Sequence, residues 1–126
     1  MRELRILVCV LALALCGCSP GSSGPSKGPA NVLIVVNETS PDSVAVGAYY
    51  VQKRGILPKF VCKIQCSGSE QSIGFDAFEK TIRTPIREFV TRNGLKDRID
   101  YIVLTRGIPI RASDWGVDSA LTCLFQ

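Results

Sequence analysis

The chain reads as an α/β protein, a three-layer Rossmann-like parallel sheet built in the order β-α-β-α-β. Three observations predict it. Residues 31–36 (NVLIVV) form a run that is wholly apolar after Asn31 and mostly β-branched, as expected of a strand covered on both faces in a parallel sheet. Two further short segments, 60–66 (FVCKIQC) and 99–105 (IDYIVLT), are rich in β-branched and aromatic residues and end at turn formers. The stretches between them carry apolar residues three and four apart, which is helical spacing. Strands alternating with helices imply right-handed crossovers and parallel neighbours. The simplest arrangement puts the first strand in the middle, in the order 2-1-3.

The first helix has a full set of boundary signals. Ser40 suits an N-cap, Pro41 fits the first turn where a missing N–H costs nothing, and Asp42 complements the helix dipole. Val44, Ala48 and Val51 recur at helical spacing, with Gly47 on the same face and Tyr49 and Tyr50 flanking it. Lys53 and Arg54 fill the last turn, and Gly55 stops the helix. In the second strand Val61, Lys63 and Gln65 alternate with Cys62, Ile64 and Cys66, as on a strand near a sheet edge. Residues 67–74 read as a loop. Phe75, Phe78, Ile82, Ile86 and Phe89 then mark an amphipathic helix that Pro85 interrupts, predicting a bend near Thr84 or a restart capped by it. Asn93 and Gly94 close this helix.

After the third strand the pattern loosens. Residues 108–111 (IPIR) are extended and Pro-limited, and residues 113–116 (SDWG) read as a turn with Trp115 as a loop anchor packed on the domain or, as the alternative, exposed for binding. Asp118 and Ser119 open an apolar stretch that reaches Gln126 without a stop signal. We therefore expect the N-terminal part of a larger α/β domain.

In an open parallel sheet, ligands bind beyond the carboxyl ends of the strands, where neighbouring crossovers diverge. In the order 2-1-3 that point lies between strands one and three. It gathers Asn37, Glu38, Thr39, Ser40 and Asp42 from one loop with Thr105, Arg106 and Arg111 from the other. The expected ligand-binding residues are Asn37, Glu38, Ser40, Asp42, Arg106 and Arg111, with a carboxylate facing an Arg across the crevice. As alternatives, Ser40 and Asp42 are explained by capping alone, and Glu38 with Arg106 by an ordinary ion pair.

Composition narrows the chemistry. The 126 residues contain no histidine, so no Cys–His or Ser–His pair can be completed within the chain. No Gly-rich phosphate loop, EF-hand or Cys-cluster metal site is present, so neither a cofactor nor a metal is expected. Lys plus Arg number 15 against 11 Asp plus Glu, without a block of like sign, which argues against a nucleic-acid footprint. Of six cysteines, Cys62, Cys66 and Cys123 fall in the domain. On one extended strand, Cys62 and Cys66 would lie about 13 Å apart, too far to bridge. A Cys62–Cys123 or Cys66–Cys123 disulfide remains open, as does the reading of all three as small buried apolar residues.

The N-terminus indicates where the protein goes. Arg2 and Arg5 precede an apolar run over residues 6–15, too short to be a stable bilayer anchor. Residues 15–18 (LCGC) resemble the lipobox of bacterial lipoproteins, which implies cleavage after Gly17 and lipid on Cys18. Residues 19–30 (SPGSSGPSKGPA) are almost wholly Ser, Gly and Pro, the composition of a flexible tether. The expected layout is a signal peptide at 1–17, a tether at 18–30 and an α/β domain at 31–126. The protein is then exported and held to the cell envelope by its lipid, where it meets an unidentified small ligand or protein partner.

Four separated motifs, NVLIVVNE, SPDSVAVGAYYVQKRGI, IDYIVLTRGIPIR and VDSALT, resemble in the same order those of an uncharacterised family of exported bacterial proteins. The likeness covers residues 31–124. It implies a larger exported α/β protein without an assigned activity, and members that continue beyond Gln126. A more distant likeness joins the LT-G-P strand end and the Asp-Ser element to gingipain-like cysteine peptidases of the caspase fold. It implies the alternative of a truncated hydrolase with catalytic groups beyond this chain. That family places a His after a central strand, whereas residues 106–115 contain none.

If Cys18 carries the lipid, a fatty-acid probe fed to expressing bacteria labels the wild-type protein. The label is lost in Cys18→Ala, whose leader also stays attached. Equal labelling of both proteins would refute the assignment.

Overall fold

Strand β1 (Val32–Asn37) is the centre of the molecule, and Leu33, Ile34, Val35, Val36 and Asn37 are all buried. The computed structural model describes residues 29–67 and 71–125. The leader, Cys18 and most of the tether lie outside the described residues. The tether's last two positions belong to a short 3₁₀ turn, Pro29–Asn31, that leads into β1.

Helix α1 (Pro41–Arg54) and strand β2 (Val61–Ile64) follow, then β3 (Ser72–Ile73), α2 (Phe75–Phe78) and α3 (Thr84–Arg92). Strand β4 (Tyr101–Leu104), the short β5 (Arg111–Ala112) and β6 (Trp115–Gly116), and helix α4 (Val117–Thr122) complete the described order. The main sheet runs β2-β1-β4 with both pairings parallel, Ile34 beside Val61 and Leu33 beside Ile102. This is the α/β arrangement expected, with β4 as the third strand of the 2-1-3 order. β2 keeps the expected alternation, with Cys62 and Ile64 buried and Lys63 exposed.

Helix α1 has the predicted boundaries. The Ser43 N–H donates to the Ser40 side chain (3.3 Å), and Gly55 closes the helix in the left-handed region at φ 62°. Its buried face differs from the expected one. Ser43 and Gly47 are buried, while Val44 is 46% exposed. The helix seats on the sheet with its smallest side chains. A Cβ on Gly47 would lie 2.6 Å from Val36 Cγ2, so the contact distance is set by the missing methyl. The apolar stripe through Val44 and Ala48 is rotated off the sheet.

The Pro85 interruption is absorbed without a new cap. Residues Glu79–Arg83 form a π turn between α2 and α3, and the Thr84 N–H bonds to the Glu79 carbonyl, five residues back. A regular α-turn would press the Pro85 ring against the Thr81 carbonyl and leave that carbonyl without its donor. The wider turn relieves both effects. It also resets the helix face. Phe78, Ile82, Ile86 and Val90 are buried at a constant spacing of four, which would drift around a helix of about 3.6 residues per turn. Phe75 and Phe89, expected on that face, are 45% exposed and partly buried respectively.

A second, small sheet was not anticipated. β3 pairs parallel with β5, and β5 pairs antiparallel with β6 across a two-residue turn at Ser113 and Asp114. Ser113 takes φ 52° there. Trp115 is 65% exposed, which corrects its reading as a packed anchor.

Adding a methyl at the α1–β1 contact overpacks it. Gly47→Ala should lower stability by about 1–2 kcal/mol in urea unfolding, although Ala is the better helix former. In a Val36→Ala background the same change should be neutral or stabilising. Equal losses in both backgrounds would show that Val36 does not set the contact.

Candidate functional site

The carboxyl end of the main sheet is organised by side chains that close on one another. Asn37, the last residue of β1, is wholly buried. Its Nδ2 donates to the Cys66 carbonyl (3.0 Å) and the Gly107 carbonyl (2.8 Å). Its Oδ1 accepts from the Cys66 N–H (3.2 Å) and the Thr39 N–H (3.2 Å). The Thr39 hydroxyl lies 2.8 Å from that Oδ1 and 2.6 Å from the Cys66 carbonyl, and its single proton serves one or the other. Because both partners of Nδ2 are carbonyls, the orientation of the amide is fixed. One side chain thus ties together the loops that follow β1, β2 and β4.

A second chain of hydrogen bonds runs beneath it. The Asn37 N–H donates to Ser43 Oγ (2.8 Å), and Thr105 Oγ1 donates to the Val35 carbonyl (2.9 Å). Ser43 Oγ and Thr105 Oγ1 are hydrogen-bonded to each other. Since Thr105 has already committed its one proton, Ser43 is the donor between them. The direction of every bond from β1 through α1 to the end of β4 and back to β1 is therefore determined. Such chains strengthen one another in a low-dielectric interior. Gly107 closes the arrangement at φ 88°, where any side chain would collide with Ser40 Oγ.

The charged residues lie outside this floor, and their pairing differs from expectation. Glu38 pairs with Lys63 (3.1 Å), not with Arg106. Arg106 faces Asp42 (3.6 Å), and both are well exposed. This contact does join the two expected loops across the crevice. Asn37, expected to meet a ligand, is sealed beneath the loops. Ser40 is half-buried and occupied as the cap of α1. Arg111 is exposed on β5 in the second sheet, where its N–H donates to the Gln71 carbonyl (3.2 Å). Beside the rim, a depression of about 420 Å³ is lined by residues including Thr105, Arg106, Gly107 and Asp118. Ser43, Gly107 and Asp118 were not among the expected site residues. A serine one helical turn before a glycine on the same helix face was the available signal for Ser43.

The three domain cysteines are free thiols, so neither disulfide left open by their spacing is formed. Burial pushes the Cys62 thiol up to about 12 and the Cys66 thiol up to about 11, from an ordinary value of 9.0. Both therefore stay protonated at neutral pH and are poor nucleophiles. Cys123 is exposed at the end of α4, and its carbonyl accepts from Arg83 Nη2 (2.9 Å). Among the described residues, no three His, Cys, Asp or Glu side chains gather as a metal site would require.

Comparisons of the chain with family models, curated proteins and solved structures found no match. The functional reading therefore rests on the leader and on this geometry.

Removing the Asn37 amide leaves the Gly107 carbonyl without its donor and the Cys66 N–H without its acceptor. Asn37→Ala should cost about 3 kcal/mol in denaturant unfolding. Hydrogen exchange should quicken at amides of all three loops together. A loss confined to the loop after β1 would contradict the linking role.

Proposed function

We propose that this chain is an exported bacterial protein, held to the cell envelope by lipid on Cys18, whose α/β domain binds a small polar ligand at the rim above the carboxyl end of the main sheet. The leader, the lipobox-like LCGC and the Ser/Gly/Pro tether support its placement. No helix among the described residues is long and apolar enough to cross a membrane.

One observation carries the binding reading. The polar groups at the strand ends divide into a buried floor and an exposed rim. Asn37, Ser43 and Thr105 are buried and hydrogen-bonded within the protein. Asp42 and Arg106 are exposed, come from different loops and meet at 3.6 Å. A floor of this kind fixes the loops, while the rim keeps one carboxylate and one guanidinium open to solvent. A guanidinium suits a carboxylate or phosphate, which it binds through two parallel N–H groups. Asp42 would face a donor on the same ligand, an amine or a hydroxyl. A zwitterionic or hydroxy-acid ligand satisfies both.

Thermal melting of the full chain in detergent, against amino acids, hydroxy acids and inorganic phosphate, tests this reading. A ligand of the right class at a hundred times its Kd adds about 2.7 kcal/mol and raises Tm. Arg106→Ala and Asp42→Ala should each abolish the rise without lowering the unliganded Tm by more than a degree or so, as befits an exposed pair. No rise with any compound, or a rise that survives both substitutions, would exclude the rim as a binding site.

A further inference from the structure

The two edges of the main sheet are unlike each other. β2 carries the exposed Lys63 at its centre, a charge that discourages strand addition. β4 (Tyr101–Leu104) reads YIVL and carries no charge, and among the described residues no strand pairs with its outer side. An apolar edge strand of this kind is a template for pairing with another chain.

The surroundings of β4 are shaped to receive a strand. A groove of about 500 Å³ runs beside it, lined among others by Ile102 and Leu104 of the strand, Val90 of α3, and Leu121 and Phe125 at α4. It meets the depression at the rim, with which it shares Leu104 and Asp118. Together the two follow the open edge along its length.

The main-chain register and the charges that flank β4 together point to the occupant. The Thr105 N–H donates to the Val35 carbonyl (3.2 Å), so alternation directs the main-chain groups of Val103 and Thr105 toward β1. Those of Ile102 and Leu104 face the open edge. An antiparallel copy of the same strand can bond there only in registers that oppose two outward-facing residues. With a two-fold axis at Val103, Ile102 lies opposite Leu104 of the second copy, and Asp100 lies across from its Arg106. The strand is a charge palindrome about Val103, D-Y-I-V-L-T-R. With the axis at Ile102, Leu104 would face a carboxylate. With the axis at Leu104, Ile102 would face a guanidinium. Asp100 is already held in place, since Asn31 Nδ2 donates to its Oδ2 (2.8 Å).

We propose that β4 is a self-association edge: two copies of this chain pair antiparallel through β4 about a two-fold axis at Val103, joining their sheets into one of six strands. About four main-chain hydrogen bonds and two Asp100–Arg106 pairs form across the axis. Arg106 leaves its exposed contact with Asp42 to make them, so pairing through β4 and a ligand held by Arg106 at the rim exclude each other. The apolar groove beside each β4 is covered by the other copy.

Residues opposed at a non-hydrogen-bonded antiparallel position have Cα atoms about 4.5 Å apart, within reach of a disulfide. Val103 meets its own copy there, whereas Ile102 does not. The test uses the full chain in its membrane, in a Cys123→Ser background, under mild oxidation. Val103→Cys should yield a disulfide-linked dimer, and Ile102→Cys should yield about tenfold less. Adding Asp100→Lys or Arg106→Asp to Val103→Cys should each lower the linked fraction about fivefold, and the two together should restore it. The swap recovers only if the two charges meet across the axis, so a general folding defect cannot imitate it. Equal linking at positions 102 and 103, no linking at 103 because another strand occupies the edge, or no recovery in the swap would each overturn the proposal.

Discussion

The buried amide of Asn37 is the interaction on which the upper half of this molecule depends. Parallel strands leave their carboxyl ends pointing the same way, and each must be followed by a loop that crosses to the next element. Loops carry main-chain groups that need partners once covered. Here one side chain supplies them to two loops at once, through the Cys66 and Gly107 carbonyls, and also accepts from the Cys66 and Thr39 N–H groups. An apolar residue at the same position would fill the space but strand those groups. A longer polar residue would not fit beneath them, because Asn37 is wholly enclosed.

The same economy appears one layer down. Ser43 and Gly47 lie one turn apart on α1, and both are buried. The glycine lets the helix approach Val36, and that approach brings the Ser43 hydroxyl to the Asn37 N–H and to Thr105. A larger residue at position 47 would lift the helix and lengthen both hydrogen bonds. Packing distance and polar satisfaction are thus one constraint, which explains why a helix with several valines turns its small and polar face to the sheet.

Much of this was legible in the sequence. β1 shows as an apolar run, α1 carries its cap, proline and terminal glycine, and alternation shows β2 with its buried and exposed sides. From these the parallel direction follows by handedness, and 2-1-3 is the simplest order for three such strands. What escaped did so for identifiable reasons. Hydrophobicity favoured the Val44–Ala48–Val51 stripe on α1, while the structure is governed by closeness of approach at Gly47. Pro85 signalled a break, yet periodicity cannot distinguish a restart from a π turn that keeps a four-residue spacing. β3, β5 and β6 have two residues each, too few to display a period. At the site, Asp42 and Arg106 meet across the crevice, whereas Glu38 turns to Lys63 of β2, because pairing depends on loop paths. Asn37 was expected to meet a ligand because its real partners are main-chain groups, which no side-chain pattern reveals.

Separating the floor from the rim has a consequence for how such a surface can change. Exposed ion pairs such as Glu38–Lys63 and Asp42–Arg106 are worth about 0–1 kcal/mol each, because water screens them and ordering two long side chains opposes them. The loops do not rely on them for their conformation, which the Asn37 amide and the Ser43–Thr105 link already impose. Substitution at the rim therefore changes the charge of the surface at little cost to the fold, whereas substitution in the floor disturbs the fold first. A domain built in this way can keep one scaffold while the charges of its rim change.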